Sequence, residues 1–163
     1  MKKIISLWLL SASLAWSGVY VQGSKNFGLS VGSGSLSVAR KTNVYTIVGV
    51  SANYFVVDNL SLGFGVRAWL GNSPSIQEVT VPVTYFIPLH ETYRPYLGVF
   101  VRHTFVESPF DDYNSYGGRA GVAMKLSDNA YMSLGWVQEF HDKDVFGNNS
   151  SSGYPEITIG IAF

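Results

Sequence analysis

The chain has 163 residues, the length of a single domain. Its 47% apolar share excludes disorder, yet only 13% of its residues are charged, about half the share of roughly 25% in soluble domains. Eleven Lys and Arg residues balance eleven Asp and Glu residues, so the chain lacks the basic surface that nucleic-acid binding requires. It has no cysteine, which excludes disulfides and thiolate metal sites. The aromatic share of 15% and the 17 glycines favour strands and tight turns over helices.

The first residues have the pattern of a secretory signal peptide. Two lysines precede an apolar run at residues 4–10, and small residues follow as far as Ala15. The pairs Ser13/Ala15, Ala15/Ser17 and Val21/Gly23 all suit a signal peptidase, so cleavage is bracketed between residues 15 and 23. The alternative of a membrane anchor is disfavoured, because Ser, Gly and Gln interrupt the run before it reaches the length of a spanning helix. The sequence therefore predicts a signal peptide at residues 1–23 and a mature domain at residues 24–163.

The mature chain alternates between apolar and small or charged residues with a period of two. In residues 60–70, Leu62 and Phe64 fall on one face of a strand and Gly63 and Arg67 on the other. Most of these segments are close to the roughly 9–11 residues with which a tilted strand crosses a bilayer. Eight such segments are predicted: residues 26–38, 44–56, 60–70, 76–87, 93–106, 116–126, 130–140 and 154–163. In the first of them the apolar positions change parity at residues 32–34, which predicts a β-bulge there.

The connections between these strands fall into two classes. Residues 58–59, 88–92 and 127–129 are tight turns, and in chain order all three lie at one end. Residues 107–115 and 141–153 are long and polar, and residues 39–43 and 71–75 are intermediate. This layout predicts an all-β fold, an eight-stranded antiparallel up-and-down transmembrane β-barrel with short periplasmic turns and longer outer loops. Both termini then lie in the periplasm.

The faces that carry charge are also rich in Gly, Ser and Thr, which places them in a narrow lumen. A soluble eight-stranded barrel would instead bury its apolar face and show a charged exterior, for which this chain has too little charge. Aromatic residues near the strand ends fit the two interfacial girdles of a membrane barrel. They are Tyr54, Tyr85, Tyr93 and Phe163 at the periplasmic end, and Phe105, Tyr116 and Phe140 at the other.

Six of the lumen charges are predicted to form a network that plugs the barrel. They lie at similar height in its outer half and comprise Arg67, Arg102, Arg119, Glu78, Glu139 and Glu156. Charge in a narrow, poorly hydrated interior must be paired. Hairpin geometry places Arg67 diagonal to Glu78 and Arg119 near Glu139. The lower cations Arg94 and Lys125 are expected to be served by carboxylates of the periplasmic turns or by water.

Three segments resemble the small outer-membrane β-barrel family, which includes outer membrane protein X and the transmembrane domain of outer membrane protein A. These segments are YFVVDNLSLG at residues 54–63, KLSDNA at residues 125–130 and ITIGIAF at residues 157–163. The resemblance covers the mature chain and implies a Gram-negative outer-membrane protein. It also implies that the terminal row of apolar residues is the signal read by the barrel-assembly machinery. That row consists of Ile157, Ile159, Ile161 and Phe163.

Catalysis is not expected. Lipid A deacylases and palmitoyl transferases are barrels of similar size that use a Ser with a His, and the deacylase pattern places the two residues two apart. His90, His103 and His141 do not match that pattern. The segment at residues 142–147 also departs from a calcium loop, because Phe146 takes a ligand position and Gly153 stands where the bidentate Glu belongs. No cofactor and no metal are predicted.

The sequence therefore predicts an integral outer-membrane protein of structural or surface-interaction type. A narrow porin-like channel is the alternative, and a lipid A-modifying enzyme is the third hypothesis. The expected partners are outer-membrane lipid and lipopolysaccharide, the barrel-assembly machinery and a surface ligand of the outer loops. Phe110, Tyr113 and Phe146 are apolar residues in those loops that could contact such a ligand. Packing of these three against the barrel rim is the alternative interpretation.

Overall fold

The structure, a computed structural model, describes residues 18–38, 41–71, 73–141 and 151–163. Each strand pairs antiparallel with the next, and β8 pairs with β1, so the sheet closes on itself. The predicted eight-stranded all-β barrel is confirmed. The part of the chain described contains no helix long and apolar enough to cross a membrane. The strands are β1 (Lys25–Val38), β2 (Lys41–Val57), β3 (Leu60–Leu70), β4 (Ile76–Phe86), β5 (Tyr93–Val106), β6 (Tyr113–Ser127), β7 (Ala130–His141) and β8 (Ser151–Ala162).

The barrel has two ends that differ in their connections. The turn end carries the start of β1, the end of β8 and the connections at residues 58–59, 87–92 and 128–129. The loop end carries the connections at residues 39–40, 71–75, 107–112 and 142–150. Three predicted loops are shorter than expected: β1 and β2 pair as far as Val38 opposite Lys41, β6 begins at Tyr113, which pairs with Thr104 of β5, and β8 begins at Ser151, which pairs with Phe140 of β7.

The bulge predicted at residues 32–34 is wrong. β1 pairs with β2 in one uninterrupted register over its whole length. Gly34 continues the lumen-facing row, since a Cβ there would lie 2.9 Å from the ring of Trp69. Glycine at this position makes room for the indole, and the alternation continues without an extra residue. The register shifts of the barrel occur instead between Phe55 and Val57 and between Lys125 and Ser127, each beside a two-residue turn.

The outward face of the barrel is apolar and the inward face is polar. On β3, Leu62, Phe64 and Val66 are 40% to 53% exposed, whereas Ser61 and Arg67 on the opposite face are buried. The predicted girdle residues all lie on the outward face, with exposures of 38% to 59%. This distribution is the reverse of that in a soluble barrel and is the one required of a barrel in contact with lipid.

Two hydrophobic clusters fill the lumen, one at each end. The turn-end cluster contains Val19, Tyr20, Phe55, Phe86, Tyr96, Ala123, Tyr131 and Ala162. The loop-end cluster contains Tyr45, Ile47, Trp69, Ile76, Phe100, Val106, Tyr113, Val137 and Tyr154. Glycines on the inner wall make room for the large rings: a Cβ at Gly160 would collide with the ring of Tyr131, and one at Gly135 with the hydroxyl of Tyr96.

Candidate functional site: the charged lumen

Arg67 and Glu78 form the first pair of the lumen network. The two residues stand directly opposite each other on β3 and β4 rather than diagonally. Nε of Arg67 lies 2.8 Å from Oε2 of Glu78, and the two side chains are 7% and 1% exposed. Both charges are therefore largely removed from solvent and depend on each other and on their neighbours for compensation.

Glu156 of β8 connects Arg67 with Arg119. Its Oε2 lies 3.3 Å from Nη1 of Arg67, and its Oε1 lies 3.7 Å from Nη1 of Arg119. Arg119 pairs with Glu156 instead of the expected Glu139, since the register of β6 and β7 places Arg119 opposite Val137 and Glu139 pairs with Arg102. Its guanidinium also reaches Thr84 of β4, with Nη2 donating to Oγ1 at 2.6 Å. The lumen is narrow enough for one arginine to reach strands that are not adjacent to its own.

Arg102 pairs with Glu139, the third carboxylate, and also lies near Glu78. Its Nη1 forms an ion pair with Oε2 of Glu139 and lies 3.6 Å from Oε1 of Glu78. Its Nε donates to Oγ1 of Thr80 at 2.9 Å, and the guanidinium carbon lies 4.5 Å from the centre of the Phe100 ring. Glu139 also accepts a hydrogen bond from Oγ of Ser115. Arg102 is thus the cation that joins β4, β5 and β7.

Tyr154 is a member of the network that sequence reasoning missed. Its hydroxyl accepts hydrogen bonds from Nη2 of Arg67 at 2.6 Å and from Nη1 of Arg102 at 3.0 Å. The two-residue period of the strand could have indicated this role, since Tyr154 is two residues from Glu156 and lies on the same face of β8. An aromatic ring with a polar tip suits this position, where the ring joins the loop-end cluster and the hydroxyl meets the charges.

Three cations and three anions therefore meet in the half of the lumen nearer the loop end. They come from six strands, β3 to β8, and each of the six residues takes part in at least one ion pair. Toward the turn end lies a cavity of about 60 Å³, which has room for a few water molecules. Its wall includes the polar side chains of Ser51, Thr80, Thr84, Ser133 and Arg119. The turn-end cluster lies beyond it.

The two lower cations have partners at the turn end. Nζ of Lys125 lies 2.7 Å from Oδ1 of Asp128 in the turn between β6 and β7. The hydrogen bond from Lys125 and its charge lower the pKa of the exposed Asp128 carboxyl. Arg94 donates to Oδ1 of Asn59, and its guanidinium carbon lies 4.5 Å from the centre of the Tyr20 ring. A turn carboxylate thus contacts Lys125, whereas an amide and an aromatic ring contact Arg94.

The predicted terminal row lies on the outside of the barrel. Ile157, Ile159 and Ile161 are 48% to 53% exposed, and Phe163 is 38% exposed. The amide of Phe163 donates to the carbonyl of Lys25 at 2.9 Å, and the amide of Lys25 donates back at 3.1 Å. Phe163 therefore closes the seam between β8 and β1 with its backbone and presents its ring outward.

Two of the three loop aromatics pack against the barrel rim. Tyr113 is 6% exposed and belongs to the loop-end cluster, and Phe110 packs against that cluster. Phe146 lies in residues 142–150, outside the described residues. Asp112 and Glu107 tie this end of the barrel together, because their carboxylates accept the amides of Val106 and Ser75 at 2.9 Å each.

The three histidines lie apart from the network. Nδ1 of His103 lies 2.8 Å from Oδ1 of Asn114, and the His103 ring makes an edge contact with Phe105. His90 accepts the amide of Thr92, and His141 lies against the ring of Tyr113. In the described ranges, no three His, Asp or Glu residues are grouped so as to hold a metal ion. The segment compared with a calcium loop, residues 142–147, lies outside the described residues.

The fold is similar to that of several solved outer-membrane barrels. Neisserial surface protein A is 14% identical with a TM-score of 0.69, and the alignment covers 87% of this chain and 98% of that protein's chain. The N-terminal β-barrel domain of OprF from Pseudomonas aeruginosa is 14% identical with a TM-score of 0.66 and the same coverage. Ail, the attachment invasion locus protein of Yersinia pestis, is 11% identical with a TM-score of 0.56. The alignment covers 88% of this chain and 100% of the Ail chain.

The sequence matches no family model and no curated protein. The relationship to these barrels is therefore one of fold, carried by strand number, closure and topology rather than by shared residues.

Proposed function

We propose that the protein is an integral outer-membrane β-barrel of structural or surface-interaction type whose lumen is closed by its own side chains. The observation that carries the proposal is the reversed polarity of the barrel, apolar outside and charged inside. The apolar face then contacts outer-membrane lipid and lipopolysaccharide. The turn end faces the periplasm and the loop end faces outward, as in outer-membrane barrels with short periplasmic turns.

Cell fractionation tests the location. The protein is expected in the outer-membrane fraction, and an unheated sample should migrate faster on a denaturing gel than a boiled one, because a closed barrel resists detergent. Recovery as a soluble periplasmic protein would contradict the proposal.

The proposed closure rests on the charge network. The six charges, of which all but the half-buried Arg119 are buried, compensate one another, and hydrophobic clusters fill the lumen at both ends. An eight-stranded barrel has an interior just wide enough for side chains to fill. Purified protein in planar bilayers should therefore conduct weakly, and Glu78→Ala and Glu139→Ala should each lower the thermal stability of the barrel. Large steady conductance of the wild type would favour the alternative of a porin-like channel.

For surface interaction, the connections of the loop end are the proposed contact region, because a rigid barrel presents recognition on its longer loops. Within the 107–112 connection Asp111 is exposed, whereas Phe110 is half-buried. Substitution of Phe146 with Ser, compared with Asp111→Ser, separates an apolar from an acidic contact in binding to host-cell or bacterial surfaces. Unchanged binding in both variants would remove these loops from the proposal.

The enzyme hypothesis has its own test. Incubation with lipopolysaccharide followed by mass spectrometry of lipid A would reveal loss or gain of an acyl chain. The proposed structural role predicts unchanged lipid A, and a modified acyl pattern that depends on His103 would overturn it.

A further inference from the structure

The residues that precede β1 fold back into the mouth of the barrel at the turn end. The amide of Asn59 donates to the carbonyl of Tyr20 at 2.9 Å, and the amide of Gly23 donates to that of Phe55 at 2.8 Å. The amide of Phe55 in turn donates to the carbonyl of Ser24 at 3.0 Å. Residues 18–23, termed the N-terminal cap below, are thus bonded to β2 and to the turn that follows it.

Two side chains of the cap enter the lumen. Val19 and Tyr20 are 2% and 4% exposed, whereas the next residue, Val21, is 50% exposed. The ring centre of Tyr20 lies 4.8 Å from that of Phe86 and 6.1 Å from that of Phe55, in an edge contact. These residues belong to the turn-end cluster, so the cap supplies the part of that cluster nearest the mouth.

Polar contacts fix the cap from two further directions. Nδ2 of Asn26 donates to the carbonyl of Val19 at 3.1 Å, and the amide of Gln22 donates to Oδ1 of Asp58 at 2.7 Å. The guanidinium of Arg94 lies over the Tyr20 ring, an attractive contact between a cation and the face of an aromatic ring. Residues that lie in a signal peptide according to the sequence prediction therefore contact the barrel like part of its own core.

We infer that residues 18–23 are kept in the mature protein, where they close the periplasmic mouth. Signal peptidase then cleaves before Gly18, after Ala15 or Ser17, and not after Gly23. The inference rests on the proposed export to the outer membrane. Cleavage after Gly23 would remove Val19 and Tyr20, leaving Phe86 uncovered and the amide of Asn26 without its acceptor.

The cap is also a second barrier, separate from the charge network. The cavity of about 60 Å³ lies between the network on one side and the turn-end cluster on the other. With the cap in place, water-soluble molecules in the periplasm meet Tyr20 before they reach the cavity. Opening only one barrier leaves the lumen closed by the other.

The mass of the intact protein extracted from outer membranes tests the cleavage site. A chain that begins at Trp16 or Gly18 is the expected result. A chain that begins at Ser24 would overturn the inference while leaving the outer-membrane proposal intact. Unprocessed protein recovered away from the outer membrane would overturn both.

A cysteine reporter tests the cap as a barrier. The chain has no cysteine, so Ser133→Cys introduces a single thiol into the wall of the cavity. With Tyr20→Ala added, a water-soluble thiosulfonate should label this thiol about tenfold faster, since labelling follows the population of the opened mouth. Val21→Ala, one residue along on the exposed side, is the matched control and should leave the rate unchanged.

Both double variants are compared as folded barrels, selected by their faster migration in unheated gels. Equal labelling of the Tyr20 and Val21 variants would overturn the role of the cap. If Tyr20→Ala yields too little folded protein, Tyr20→Leu keeps an apolar side chain of intermediate size while removing the ring, and it should give an intermediate rate. A rate equal to that of the Val21 control would again overturn it.

Discussion

Arg67 and Glu78 face each other across neighbouring strands, with Nε of the arginine 2.8 Å from Oε2 of the glutamate. The pair is not isolated, because Glu78 also faces Arg102 and Arg67 also faces Glu156. Removing any one charge leaves a partner without full compensation in a place with little water. The network should therefore behave as a unit rather than as independent pairs.

Glu78→Gln tests how strongly the fold depends on that unit. The substitution keeps the size of the side chain but leaves Arg67 and Arg102 short of one negative charge. Breaking a buried pair in this way costs about 3–5 kcal/mol. Equilibrium unfolding by urea in lipid vesicles should therefore show a loss of stability of that order.

Glu91→Gln is the control for Glu78→Gln. Glu91 is an exposed acid in the turn-end connection 87–92, and its substitution should change the free energy of unfolding by no more than about 0.5 kcal/mol. Equal effects of the two substitutions would show that the buried carboxylate gives the fold no special support.

Tyr154→Phe removes one hydroxyl and leaves the ring in the loop-end cluster. The hydroxyl accepts from two guanidinium groups, those of Arg67 and Arg102. Hydrogen bonds to charged groups contribute about 1.5–3 kcal/mol each, so the loss of both should lower the free energy of unfolding by about 3–6 kcal/mol. Tyr116→Phe, at an outward position with 59% exposure, should be neutral in the same unfolding assay. A neutral result for Tyr154→Phe would mean that water replaces its hydroxyl.

The strand pattern was predictable because its period is local. Arg67 and Glu78 share the lumen face by parity alone, and their hairpin brings them together. The partner of Arg119 was not predictable in this way, because its contact with Glu156 runs from β6 to β8. The width of the closed barrel and the tilt of its strands decide which non-adjacent strands a long side chain can reach. Neither property can be inferred from a short segment of sequence.

The cap was missed for a different reason. Val19 and Tyr20 follow an export signal directly, and small residues that suit cleavage lie on both sides of them. Their burial depends on a mouth built from β2, β4 and β7, whose residues are distant in the chain. The bulge error at residues 32–34 is similar in kind, since Gly34 is explained by Trp69 on β3 rather than by its neighbours in the sequence.

Deletion of Phe163 tests whether the terminal row serves assembly more than final stability. The residue ends the apolar row of β8 and presents its ring on the outward face, and the assembly machinery is the proposed reader of that row. Deletion should lower the amount of folded barrel in cells several-fold, while refolding of the purified chain in detergent proceeds with little change.

The control for Phe163 is Phe64→Ala, an outward phenylalanine of β3 with 53% exposure. It removes a similar lipid contact away from the terminus and should affect cells and detergent alike. Equal losses in both settings after deletion of Phe163 would assign that residue to stability instead.

Tyr20 gives a prediction about alkaline pH. Burial in the turn-end mouth raises the pKa of its hydroxyl above the ordinary value of 10.0. The hydroxyl finds no hydrogen-bond partner among the described residues. In a difference titration of wild type against Tyr20→Phe, followed by phenolate absorbance, the folded proteins should show no contribution from Tyr20 through the ordinary tyrosine range. The same difference taken on unfolded protein should show one phenolate titrating near pH 10.

The sign of the linked stability change follows from the same shift. Below pH 10 the hydroxyl is protonated in both the folded and the unfolded chain, so pH has no effect through this group. Above it the unfolded chain loses the proton while the folded chain keeps it, and the folded state is progressively disfavoured. Wild type should therefore lose stability relative to Tyr20→Phe as the pH rises past 10, in urea unfolding measured at successive pH values. If the free energies of unfolding of the two proteins changed with pH in parallel, Tyr20 would be exposed to solvent and the cap would not close the mouth.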